Sequence, residues 1–530
     1  MPGMKIRITQ LGVPLDYTDE IILQASANRM GVERESVTAF TMVRRAIDGR
    51  RLKGHVRFIL TVDVEVDDAA AEARREGDVA GAAHETPGQP GPIELARRPV
   101  VVGAGPAGLL AAWRLARAGA KPILIERGAP VAERRASVGE FWAKGTLDTE
   151  SNALFGEGGA GLFSDGKLTT RSKQRGYLRA VLELLVECGG PEEILVEAEP
   201  HVGSDKLATI VQTLREQIVA LGGEVRFHSR LESIELRDGQ LAGVVVNGEG
   251  IVTDHCILAT GHSARDVYRM LHAAQVPLAA KAFAAGVRIE FPQSQLDKSQ
   301  FGPDAGHERL GPASFRLTRR EEAGARACYT FCMCPGGRVI ACSASAGELT
   351  TNGMSLSSRD GVYGNAGFLV PVRPEDFGGD TDPLAGLAWQ EAIEAKAFVA
   401  GGSNYSVPAL RLRDFLSRTV SRGLPANRSC SRSVPADLHA ILPEFISETL
   451  LHAVPRMLSQ LSDIRKADGI VYATETRSSS PVRILREKDF QSPGAAGLYP
   501  AGEGAGYAGG IVTSAIDGLR AADALLDSMT

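Results

Sequence analysis

One stretch of the chain, residues 99–127, constrains the fold more than any other part. It begins with an apolar run at residues 100–102, which is followed by Gly103, Gly105 and Gly108 in G-x-G-x-x-G spacing. A helical run rich in Ala and Leu covers residues 107–118, and a second apolar run covers residues 123–125. The second apolar run ends on the acid Glu126. This order predicts a βαβ unit that binds a dinucleotide, since glycines that only make an ordinary turn would not need the other features around them.

The three glycines have different expected roles. Gly103 allows a tight turn out of the strand, Gly105 lets a pyrophosphate approach the backbone, and Gly108 lets the helix pack close to the sheet. The helix N-terminus then presents free N–H groups and a partial positive charge to the phosphates, while Glu126 accepts hydrogen bonds from two ribose hydroxyls. From this part of the chain we predict cofactor contacts by Gly103, Gly105, Pro106, Ala107, Gly108, Glu126, Arg127 and Arg134.

Length and composition limit the remaining possibilities. A chain of 530 residues is too long for one hydrophobic core and predicts two or three domains. The apolar content of 44% is ordinary for a soluble globular protein, and a net charge of -5 gives no general reason to expect nucleic-acid or membrane binding. Because the chain has no apolar run of about 18 residues and no signal-peptide pattern, we predict a cytoplasmic protein without membrane contact. The seven cysteines are an odd number and do not suggest a disulfide framework.

The pattern of elements predicts an α/β fold made of five consecutive segments. A small α+β module and a linker precede a Rossmann-like nucleotide-binding domain, which an α+β substrate domain interrupts. The predicted boundaries are 1–66 for the module, 67–97 for the linker, 98–272 and 473–530 for the nucleotide-binding domain, and 273–472 for the insertion. Within the insertion, Pro443 and Pro455 are expected to divide a long helical pattern into shorter helices.

Five basic residues lie on a predicted hairpin of the N-terminal module: Arg44, Arg45, Arg50, Arg51 and Lys53. They would either dock RNA or protect the edge of a solvated hairpin, where Lys and Arg discourage pairing between sheets. The acidic balance of the whole chain favours the second interpretation, so nucleic acid is not the expected partner.

A second glycine-rich stretch, residues 155–168, is not framed by a strand and a helix and is therefore not a second dinucleotide fingerprint. Its glycine density fits a backbone that lies against a flat ligand. We predict cofactor contacts by Gly158, Gly159 and Gly161. Asp165 and Lys167 are candidate catalytic residues: Asp165 would act as a base, and Lys167 would place a positive charge beside a reduced cofactor. The alternative is that Ser-Asp-Gly only forms a turn, in which this sequence is common.

Two further segments follow the first fingerprint in the order expected of one cofactor site. A buried strand ends in Ala259-Thr260-Gly261, and near the C-terminus a short strand and Gly502-Glu503 precede a helix. A short strand, an acid and a helix N-terminus recur in flavoprotein folds, which this segment resembles. In those folds the acid accepts a hydrogen bond from a ribityl hydroxyl, and the helix N-terminus points to the flavin pyrimidine edge, where negative charge develops on reduction. Cofactor contacts are therefore predicted for Thr260, Gly261, Gly502, Glu503, Gly510 and Ile511.

With these elements in order, the chain resembles the two-dinucleotide-binding-domain flavoproteins, and more narrowly an uncharacterised FAD-dependent dehydrogenase family of bacteria and plastids. The stretches that carry the resemblance are FGEGGAGLFSDGKL (155–168), ATGHSARD (259–266), YTFCMCPGG (329–337), ETRSSSPVRI (475–484) and GLYPAGEGAGYAGGI (497–511). The family implies bound FAD, a Rossmann-like FAD-binding domain and an inserted α+β substrate domain. It implies no particular substrate.

Further candidate catalytic groups lie outside the glycine loops. Cys332 and Cys334 would either relay electrons as a thiol pair beside the flavin or be small apolar residues of a strand, and C-x-C spacing on one strand face does not favour a strain-free disulfide. No metal site is expected, because the chain has no C-x-x-C and no histidine pair to complete a zinc set. Arg477 or Arg483 would bind a carboxylate or phosphate, or pair with an acid such as Glu475.

The functional prediction is a FAD-dependent oxidoreductase that transfers a hydride through flavin N5 to or from a small organic substrate. Only one complete dinucleotide fingerprint is present, so NAD(P)H is expected to bind transiently if it binds at all. The alternative prediction is a FAD-containing RNA-modifying protein whose Arg-rich hairpin docks RNA.

Overall fold

The structure is a computed structural model that describes residues 4–50, 54–67, 86–89, 91–322, 326–379, 381–464 and 468–529. Most of the predicted linker lies outside the described residues, as do Arg51 and Lys53 of the N-terminal hairpin. Within the described ranges, no helix is long and apolar enough to cross a lipid bilayer.

The N-terminal module is a three-stranded antiparallel sheet with one helix packed on it. Its elements are β1 (Met4–Val13), α1 (Asp19–Met30), β2 (Val37–Asp48) and β3 (Arg57–Val66), and the strand order is β1-β3-β2. Every second residue of β3 is buried, because alternate side chains of a strand point to opposite faces and one face packs on the core. The Thr18 side chain accepts a hydrogen bond from the Ile21 N–H at the start of α1, and Gly31 (φ 71°) ends that helix.

The next part of the chain forms most of the nucleotide-binding domain. Its strands are β4 (Val100–Val102), β5 (Ile123–Ile125), β6 (Glu224–Arg226), β7 (Leu231–Arg237), β8 (Gln240–Val246), β9 (Glu249–Val252) and β10 (Cys256–Leu258). Its helices are α2 (Pro106–Arg117), α3 (Val131–Lys144), α4 (Arg175–Glu187), α5 (Ser204–Ala220) and α6 (Arg265–Ala273). The strands β7, β8 and β9 form a separate antiparallel sheet.

The insertion follows, and the chain then returns to the nucleotide-binding domain. The inserted strands are β11 (Leu278–Ala280), β12 (Phe283–Pro292), β13 (Thr318–Arg319), β14 (Cys328–Cys334), β15 (Arg338–Cys342), β16 (Thr350–Met354), β17 (Tyr363–Val372), β18 (Val407–Arg411), β19 (Ser433–Pro435), β20 (Ile470–Glu475) and β21 (Val482–Ile484). The inserted helices are α7 (Gln293–Phe301), α8 (Ala385–Ala400), α9 (Leu412–Leu416), α10 (Leu438–Ile441) and α11 (Glu444–Leu458). The returning elements are β22 (Leu498–Pro500) and α12 (Ile511–Asp527).

The nucleotide-binding domain is built on a five-stranded parallel sheet with the order β22-β10-β4-β5-β6. The strands β4, β5, β10 and β22 are buried along their whole length, as is typical of parallel strands whose sheet is covered on both faces. Although the whole insertion separates β22 from β10 in sequence, the two strands are neighbours. The C-terminal segment therefore completes a Rossmann-like α/β domain, which confirms the predicted fold class.

Glycines bring the start of α2 close to α12. A Cβ atom on Gly518 would lie 2.0 Å from the carbonyl oxygen of Ala107, and one on Gly502 would lie 2.8 Å from the Ala107 Cβ. Any side chain at these two positions would push the helix and the loop apart. The absence of a Cβ thus lets both segments reach the same end of the sheet.

The insertion is built on a seven-stranded sheet with the order β13-β14-β17-β12-β20-β18-β19. The two strands β12 and β17 pair over ten residues. Phe283, Val287 and Ile289 of β12 pack with the inserted helices in one hydrophobic core. Ala284 and Arg288 point to the opposite face, because the side chains of a strand alternate.

The predicted division of the helical pattern at two prolines is half right. Pro443 separates α10 from α11, as expected, whereas Pro455 lies inside α11 without ending it. Proline gives up one backbone hydrogen bond in a helix interior, but buried residues on both sides of Pro455 pack against the core and keep the helix continuous.

The N-terminal module docks on the segment that follows α7. Phe301, the last residue of α7, joins the hydrophobic core of the module together with Leu310 and Ala313 of this segment. The guanidinium of Arg309 donates hydrogen bonds to the carbonyl oxygens of Leu15 and Tyr17 at 3.2 and 2.8 Å. These contacts fix the module against the insertion.

Two basic residues of the N-terminal hairpin are paired with acids of the same chain. Arg45 forms an ion pair with Glu197, which lies between α4 and α5. Arg50 pairs with Asp48 at 2.7 Å. Both cations are therefore charge-compensated within the described part of the chain.

Candidate cofactor and active site

A cavity of about 1070 Å³ lies between the parallel sheet and the sheet of the insertion. Its lining includes the residues that directly follow β4, β5, β10 and β22, together with much of the 155–168 loop. Ligands of open α/β sheets bind at the carboxyl ends of the strands, where this cavity is found. Its volume is at the upper end of the roughly 300–1,000 Å³ range of ligand pockets, so the cavity has room for a large cofactor.

The structure brings most of the predicted cofactor residues together in the lining of this cavity: Gly103, Gly105, Pro106, Ala107, Glu126, Arg127, Gly159, Gly161, Thr260, Gly261, Gly502, Glu503, Gly510 and Ile511. Gly108, Gly158 and Arg134 lie outside the lining. Of the predicted catalytic residues, Asp165, Lys167 and Cys332 line the cavity and Cys334 does not.

The glycines of the fingerprint meet different surroundings. Gly103 has φ 99°, and a Cβ atom on it would lie 2.5 Å from the Ala259 carbonyl oxygen. A Cβ on Gly108 would lie 1.8 Å from the Gly103 carbonyl oxygen. A Cβ on Gly105 would meet only the Gly159 Cα, at 3.7 Å, within the distance searched. Gly103 and Gly108 are therefore needed for packing within the chain, whereas Gly105 leaves open the space that a ligand would use.

Two helix N-termini open into the cavity. The helices α2 and α12 begin after Gly105 and Gly510, and neither has a side chain that caps its first N–H groups. Uncapped N–H groups carry a partial positive charge and bind anions or other acceptors. One cavity thus offers donors at two separate places, as a dinucleotide with a pyrophosphate at its centre and a polar ring at one end requires.

The carboxylate of Glu126 is held by backbone donors. It accepts hydrogen bonds from the N–H groups of Ala104, Gly128 and Gly156 at 2.8, 2.9 and 3.0 Å. A carboxylate has about four acceptor positions, so one remains for a hydroxyl of a ligand in the cavity. The predicted contact with a ribose is compatible with this geometry.

Arg134 has a different position from the one that the sequence interpretation gave it. It is completely buried, and its guanidinium donates to the carbonyl oxygens of Asn152, Glu157 and Gly159 at 2.8, 2.7 and 2.9 Å. The planar guanidinium has several donors and therefore fixes the glycine loop from beneath. Its Nη2 atom has no partner in the described part of the chain, so a direct contact with a ligand stays a prediction.

Three buried polar atoms at the cavity have no partner in the described part of the chain: His262 Nε2, Ser263 Oγ and Arg477 Nη1. Buried polar groups are normally hydrogen-bonded, because leaving one without a partner costs about 1–3 kcal/mol. A ligand with several hydroxyl and carbonyl groups would satisfy them. These atoms, the open space at Gly105 and the two uncapped helices together fit a bound FAD.

The structure places Asp165 in an ion pair, so its role as a catalytic base stays a prediction. Its carboxylate forms an ion pair with Arg359, in which Arg359 Nε donates at 3.0 Å, and it also accepts a hydrogen bond from the Ser355 hydroxyl. Asp165 is only 1% exposed. Two partners already occupy the carboxylate, and through them Asp165 connects the glycine loop to the insertion.

Lys167 lines the cavity and has no carboxylate partner among the residues that the structure describes, as is also true of Arg171. Its ammonium group donates a hydrogen bond to the carbonyl oxygen of Met333, in β14. A lysine ammonium has three donors, so two of them remain for a ligand. The nearby carboxylate of Asp165 is held by Arg359 and leaves the charge of Lys167 available in the cavity.

The two cysteines of β14 lie at the cavity wall and directly behind it. Cys332 lines the cavity, whereas Cys334 is fully buried and its thiol donates to the Cys332 carbonyl oxygen at 3.3 Å. Hydrogen bonding with Cys334 and the positive charges of Arg288 and Lys167 outweigh desolvation and lower the pKa of the Cys332 thiol to about 7. The pKa of Cys334 is raised by its interaction with Cys332 and by burial.

Glu503 and His262 are titratable groups of the cavity with shifted pKa values. Burial raises the pKa of Glu503 to about 7, against the opposing effects of the Gly510 N–H and of Lys281. Burial and the charge of Arg477 lower the pKa of His262 to about 4, so the imidazole is neutral at physiological pH. His262 Nδ1 lies 3.9 Å from a carboxylate oxygen of Glu503.

Sequence reasoning missed the acids and bases that neutralise the inner wall of the cavity. Arg477 pairs with Glu394 at 2.6 Å and not with Glu475, whose partner is the fully buried Arg288. The only local signal for these pairs is the presence of charged residues within apolar strands and helices. Among the residues that the structure describes, no group of three or more His, Cys, Asp or Glu could hold a metal ion.

Three family models match consecutive parts of the chain. A pyridine nucleotide-disulphide oxidoreductase model matches residues 97–275, and a model described as FAD-dependent protein, C-terminal domain-like, matches residues 282–478. A domain of unknown function matches residues 5–65, which form the N-terminal module.

Solved structures that match the chain include a flavin-dependent brominase, with a TM-score of 0.38 at 10% identity, where the match covers 81% of this chain and 80% of the other. A geranylgeranyl bacteriochlorophyll reductase-like protein from Thermoplasma acidophilum has a TM-score of 0.35 at 14% identity, covering 81% of this chain and 78% of the other. A thiamine thiazole synthase from Aeropyrum pernix is 28% identical over 31% of this chain and 54% of its own length.

The similarity that identifies the family extends over the full chain. A protein from Clostridium beijerinckii with no assigned activity is 40% identical over 545 residues, which cover 99% of each chain. The predicted resemblance is thereby confirmed, together with the FAD-type nucleotide-binding fold and the oxidoreductase class. The chain belongs, with the Clostridium beijerinckii protein, to an uncharacterised family of FAD-dependent oxidoreductases.

Proposed function

We propose that this protein binds FAD along the cavity and transfers a hydride between flavin N5 and a small organic molecule held against the insertion. The observation that carries the proposal is that the uncapped N-termini of α2 and α12 open into one cavity, whose remaining wall comes from the insertion. On this view, the predicted segments 98–272 and 473–530 correspond to the FAD-binding domain and 273–472 to the substrate domain, except that β20 continues in the inserted sheet to Glu475.

Different residues of the chain would bind different parts of the cofactor. Gly105 and the N-terminus of α2 would receive the pyrophosphate, and Glu126 would bind the ribose of the adenosine half. The segment Thr260-Gly261 would pass beside the cofactor, and the N-terminus of α12 would face the flavin ring. The orphaned donors His262 Nε2 and Arg477 Nη1 would gain acceptors.

When bound, FAD supplies two-electron hydride chemistry that no side chain provides. The groups of the chain then stabilise charge and handle protons. Lys167 and the α12 N-terminus bring positive charge to the cavity, which favours the more negative, reduced state of a flavin. Glu503, with a pKa of about 7, holds or releases a proton at its carboxylate close to neutral pH.

We propose that the electron donor is either the organic substrate itself or a nicotinamide cofactor that binds transiently in the cavity. A dedicated NAD(P)H domain would need its own strand, glycine loop and helix, and the sequence has only one complete fingerprint. The RNA-modifying alternative is not carried forward, because Arg45 and Arg50 of the hairpin pair with Glu197 and Asp48.

The test begins with the cofactor of the purified protein. Acid release followed by chromatography should yield FAD at about one molecule per chain, and anaerobic mixing with NADH, NADPH and candidate metabolites should identify which compound bleaches the flavin absorbance. A protein that contains no flavin and binds none when FAD is added would refute the proposal. Bleaching by a metabolite but not by NADH or NADPH would make that metabolite the electron donor.

A further inference from the structure

Cys332 lies at an irregularity of β14 that turns it to the cavity. In the pairing with β17, Phe331 is opposite Gly367 and Cys334 is opposite Asn365. Between these two pairs β14 has one residue more than β17, which is a β-bulge. Cys332 has φ 43°, in the left-handed region that a residue with a side chain seldom adopts. Such bulges re-aim side chains and are frequent beside active sites.

The bulge removes the obstacle that regular strand geometry sets to contact between the two thiols. In an unbroken strand, residues two positions apart lie on the same face with their Cβ atoms too far apart for a disulfide. Here the Cys334 sulfur lies 3.3 Å from the Cys332 carbonyl oxygen. One thiol therefore faces the cavity, and the other lies behind it against the Cys332 backbone.

Positive charge surrounds the Cys332 position. Arg288 Nη1 donates to the Cys332 carbonyl oxygen at 3.0 Å, and the ammonium of Lys167 donates to the carbonyl oxygen of the next residue, Met333. Three acids lie near the two thiols: Glu475, which Arg288 neutralises, Asp165, which pairs with Arg359, and Glu503, whose pKa is raised in part by Cys332. The charge of Lys167 is left without a carboxylate, so it stabilises a thiolate at Cys332.

We propose that Cys332 and Cys334 form a redox-active dithiol that reduces a small-molecule disulfide admitted to the cavity, with Cys332 as the attacking residue and Cys334 as the resolving residue. Cys332 attacks because it alone of the two lines the cavity. Its pKa of about 7 keeps a large fraction ionised at neutral pH, where thiolates attack disulfides efficiently.

The reaction balances in two steps. The Cys332 thiolate attacks one sulfur of the substrate disulfide, whose S–S bond breaks, and the released thiolate takes a proton from solvent. Cys334 then loses its proton and attacks the Cys332 sulfur, which breaks the mixed disulfide and releases the second substrate thiol in protonated form. Two electrons have moved to the substrate, and a Cys332–Cys334 disulfide remains.

Return of the pair to the dithiol requires two electrons and two protons. Continuous turnover therefore rests on the proposed function, in which reduced FAD supplies those electrons. Formation of the disulfide does not depend on it, so the two proposals can fail separately.

The test follows the thiols in the full-length protein with bound flavin. The protein is equilibrated with mixtures of reduced and oxidised glutathione, quenched in acid, alkylated and digested with trypsin. Cleavage after Arg326 and Arg338 gives one peptide, residues 327–338, which contains Cys328, Cys332 and Cys334. As the oxidised fraction rises, we expect a growing share of this peptide to take up no alkyl group at Cys332 and Cys334 and to weigh two hydrogens less than the unalkylated dithiol peptide, in the parent chain and in Cys328→Ala alike.

Single replacements separate the roles of the two thiols. Cys334→Ala should accumulate a glutathione mixed disulfide on Cys332, and Cys332→Ala should show neither an internal disulfide nor an adduct on this peptide. Iodoacetamide should modify Cys332 at least about tenfold faster than the buried Cys188 in the same protein. Lys167→Met should slow this modification at neutral pH, because it removes the positive charge that favours the thiolate.

Two outcomes would overturn the proposal. One is a peptide in which Cys332 and Cys334 are both alkylated at every glutathione ratio, and the other is a disulfide that includes Cys328. The flavin absorbance of the same samples distinguishes the two proposals: unchanged flavin without a disulfide refutes the dithiol alone, whereas a disulfide in protein that cannot bind flavin supports the dithiol and refutes the proposed function.

Discussion

Arg288 and Glu475 form a two-point ion pair inside the insertion, in which Arg288 Nε and Nη2 donate to the two carboxylate oxygens at 2.7 and 2.6 Å. The Arg288 side chain is 0% exposed and that of Glu475 is 4% exposed. We expect Arg288→Met to lower the free energy of unfolding by about 3–5 kcal/mol, because it leaves a carboxylate buried without its counter-ion. The double variant Arg288→Met/Glu475→Leu should recover part of the loss, and equilibrium urea unfolding measures both.

Arg269→Met is the matched control for this pair. Arg269 contacts Glu391 at the same distance, 2.6 Å, but its side chain is 52% exposed. An exposed ion pair contributes only about 0–1 kcal/mol, so this variant should unfold almost like the parent chain. Equal losses from Arg269→Met and Arg288→Met would show that burial does not determine the contribution of the inner pair.

Gly105 and Gly108 should respond differently to the same added methyl group. A Cβ on Gly105 meets little of the protein, whereas one on Gly108 would lie 1.8 Å from the Gly103 carbonyl oxygen. We expect Gly105→Ala to keep its stability within about 0.5 kcal/mol. It should nevertheless bind FAD about tenfold more weakly, a change of about 1.4 kcal/mol, because the methyl group takes space needed by the pyrophosphate.

Gly108→Ala should instead lower the free energy of unfolding, because the helix must move away from the sheet to make room. Urea unfolding and flavin-fluorescence titration of the two variants measure both quantities. If Gly108→Ala were as stable as the parent chain and Gly105→Ala were unfolded, the assignment of a packing role to one glycine and a ligand role to the other would be reversed.

The arrival of distant segments at one cavity is predictable from the sequence, because each segment carries its own local signature. Gly103 to Gly108, Ala259-Thr260-Gly261 and Gly502-Glu503 each follow an apolar run short enough for a buried strand. Parallel strands place their carboxyl ends at one edge of a sheet. Local patterns and this single rule of topology therefore suffice to bring the segments together.

Pairing between distant charges has no local signature. Asp165 and Arg359 are 194 positions apart, and nothing near Asp165 in sequence indicates that another domain supplies its partner. The bulge at Cys332 is equally hidden, because it exists only relative to the register of β17. For Arg134, the charge suggested a ligand contact, whereas the glycine loop folds over the side chain and supplies carbonyl acceptors of its own.

His262 should make stability depend on pH. Its pKa is lowered to about 4 in the folded protein from an ordinary value of 6.5, chiefly because burial disfavours the charged imidazole. Between these two pH values the unfolded chain binds more protons than the folded chain, so stability falls as the pH is lowered from 6.5 to about 4. The group contributes up to about 3 kcal/mol above this window, and the contribution is lost below it.

His262→Gln should flatten the curve of unfolding free energy against pH within that window. His228→Gln is the control, because the His228 side chain is 61% exposed and meets only Glu133 near the surface. Urea unfolding at several pH values between 4 and 6.5 checks the prediction. A curve for His262→Gln that is as steep as that of the parent chain would assign the pH dependence to other groups.

Arg134 should determine FAD affinity without touching the cofactor. Arg134→Met keeps much of the buried shape but removes the donors for the carbonyl oxygens of Asn152, Gly156, Glu157 and Gly159. Each buried acceptor left without a partner costs about 1–3 kcal/mol, so the loop between α3 and α4 should lose its order. We expect FAD binding to weaken at least about tenfold, equivalent to about 1.4 kcal/mol, with a lower unfolding midpoint.

The neighbouring Arg135 provides the control, because its guanidinium is exposed and Nη2 donates only to the Ser204 carbonyl oxygen, at 3.2 Å. Arg135→Met should bind FAD like the parent chain. Flavin-fluorescence titration gives the affinities, and hydrogen exchange of the amides from Asn152 to Gly161 reports on the loop itself. Faster exchange in Arg134→Met, together with weaker FAD binding, is the expected pair of results. Weaker binding with unchanged exchange would instead mean that Arg134 reaches the cofactor directly, as its charge first suggested.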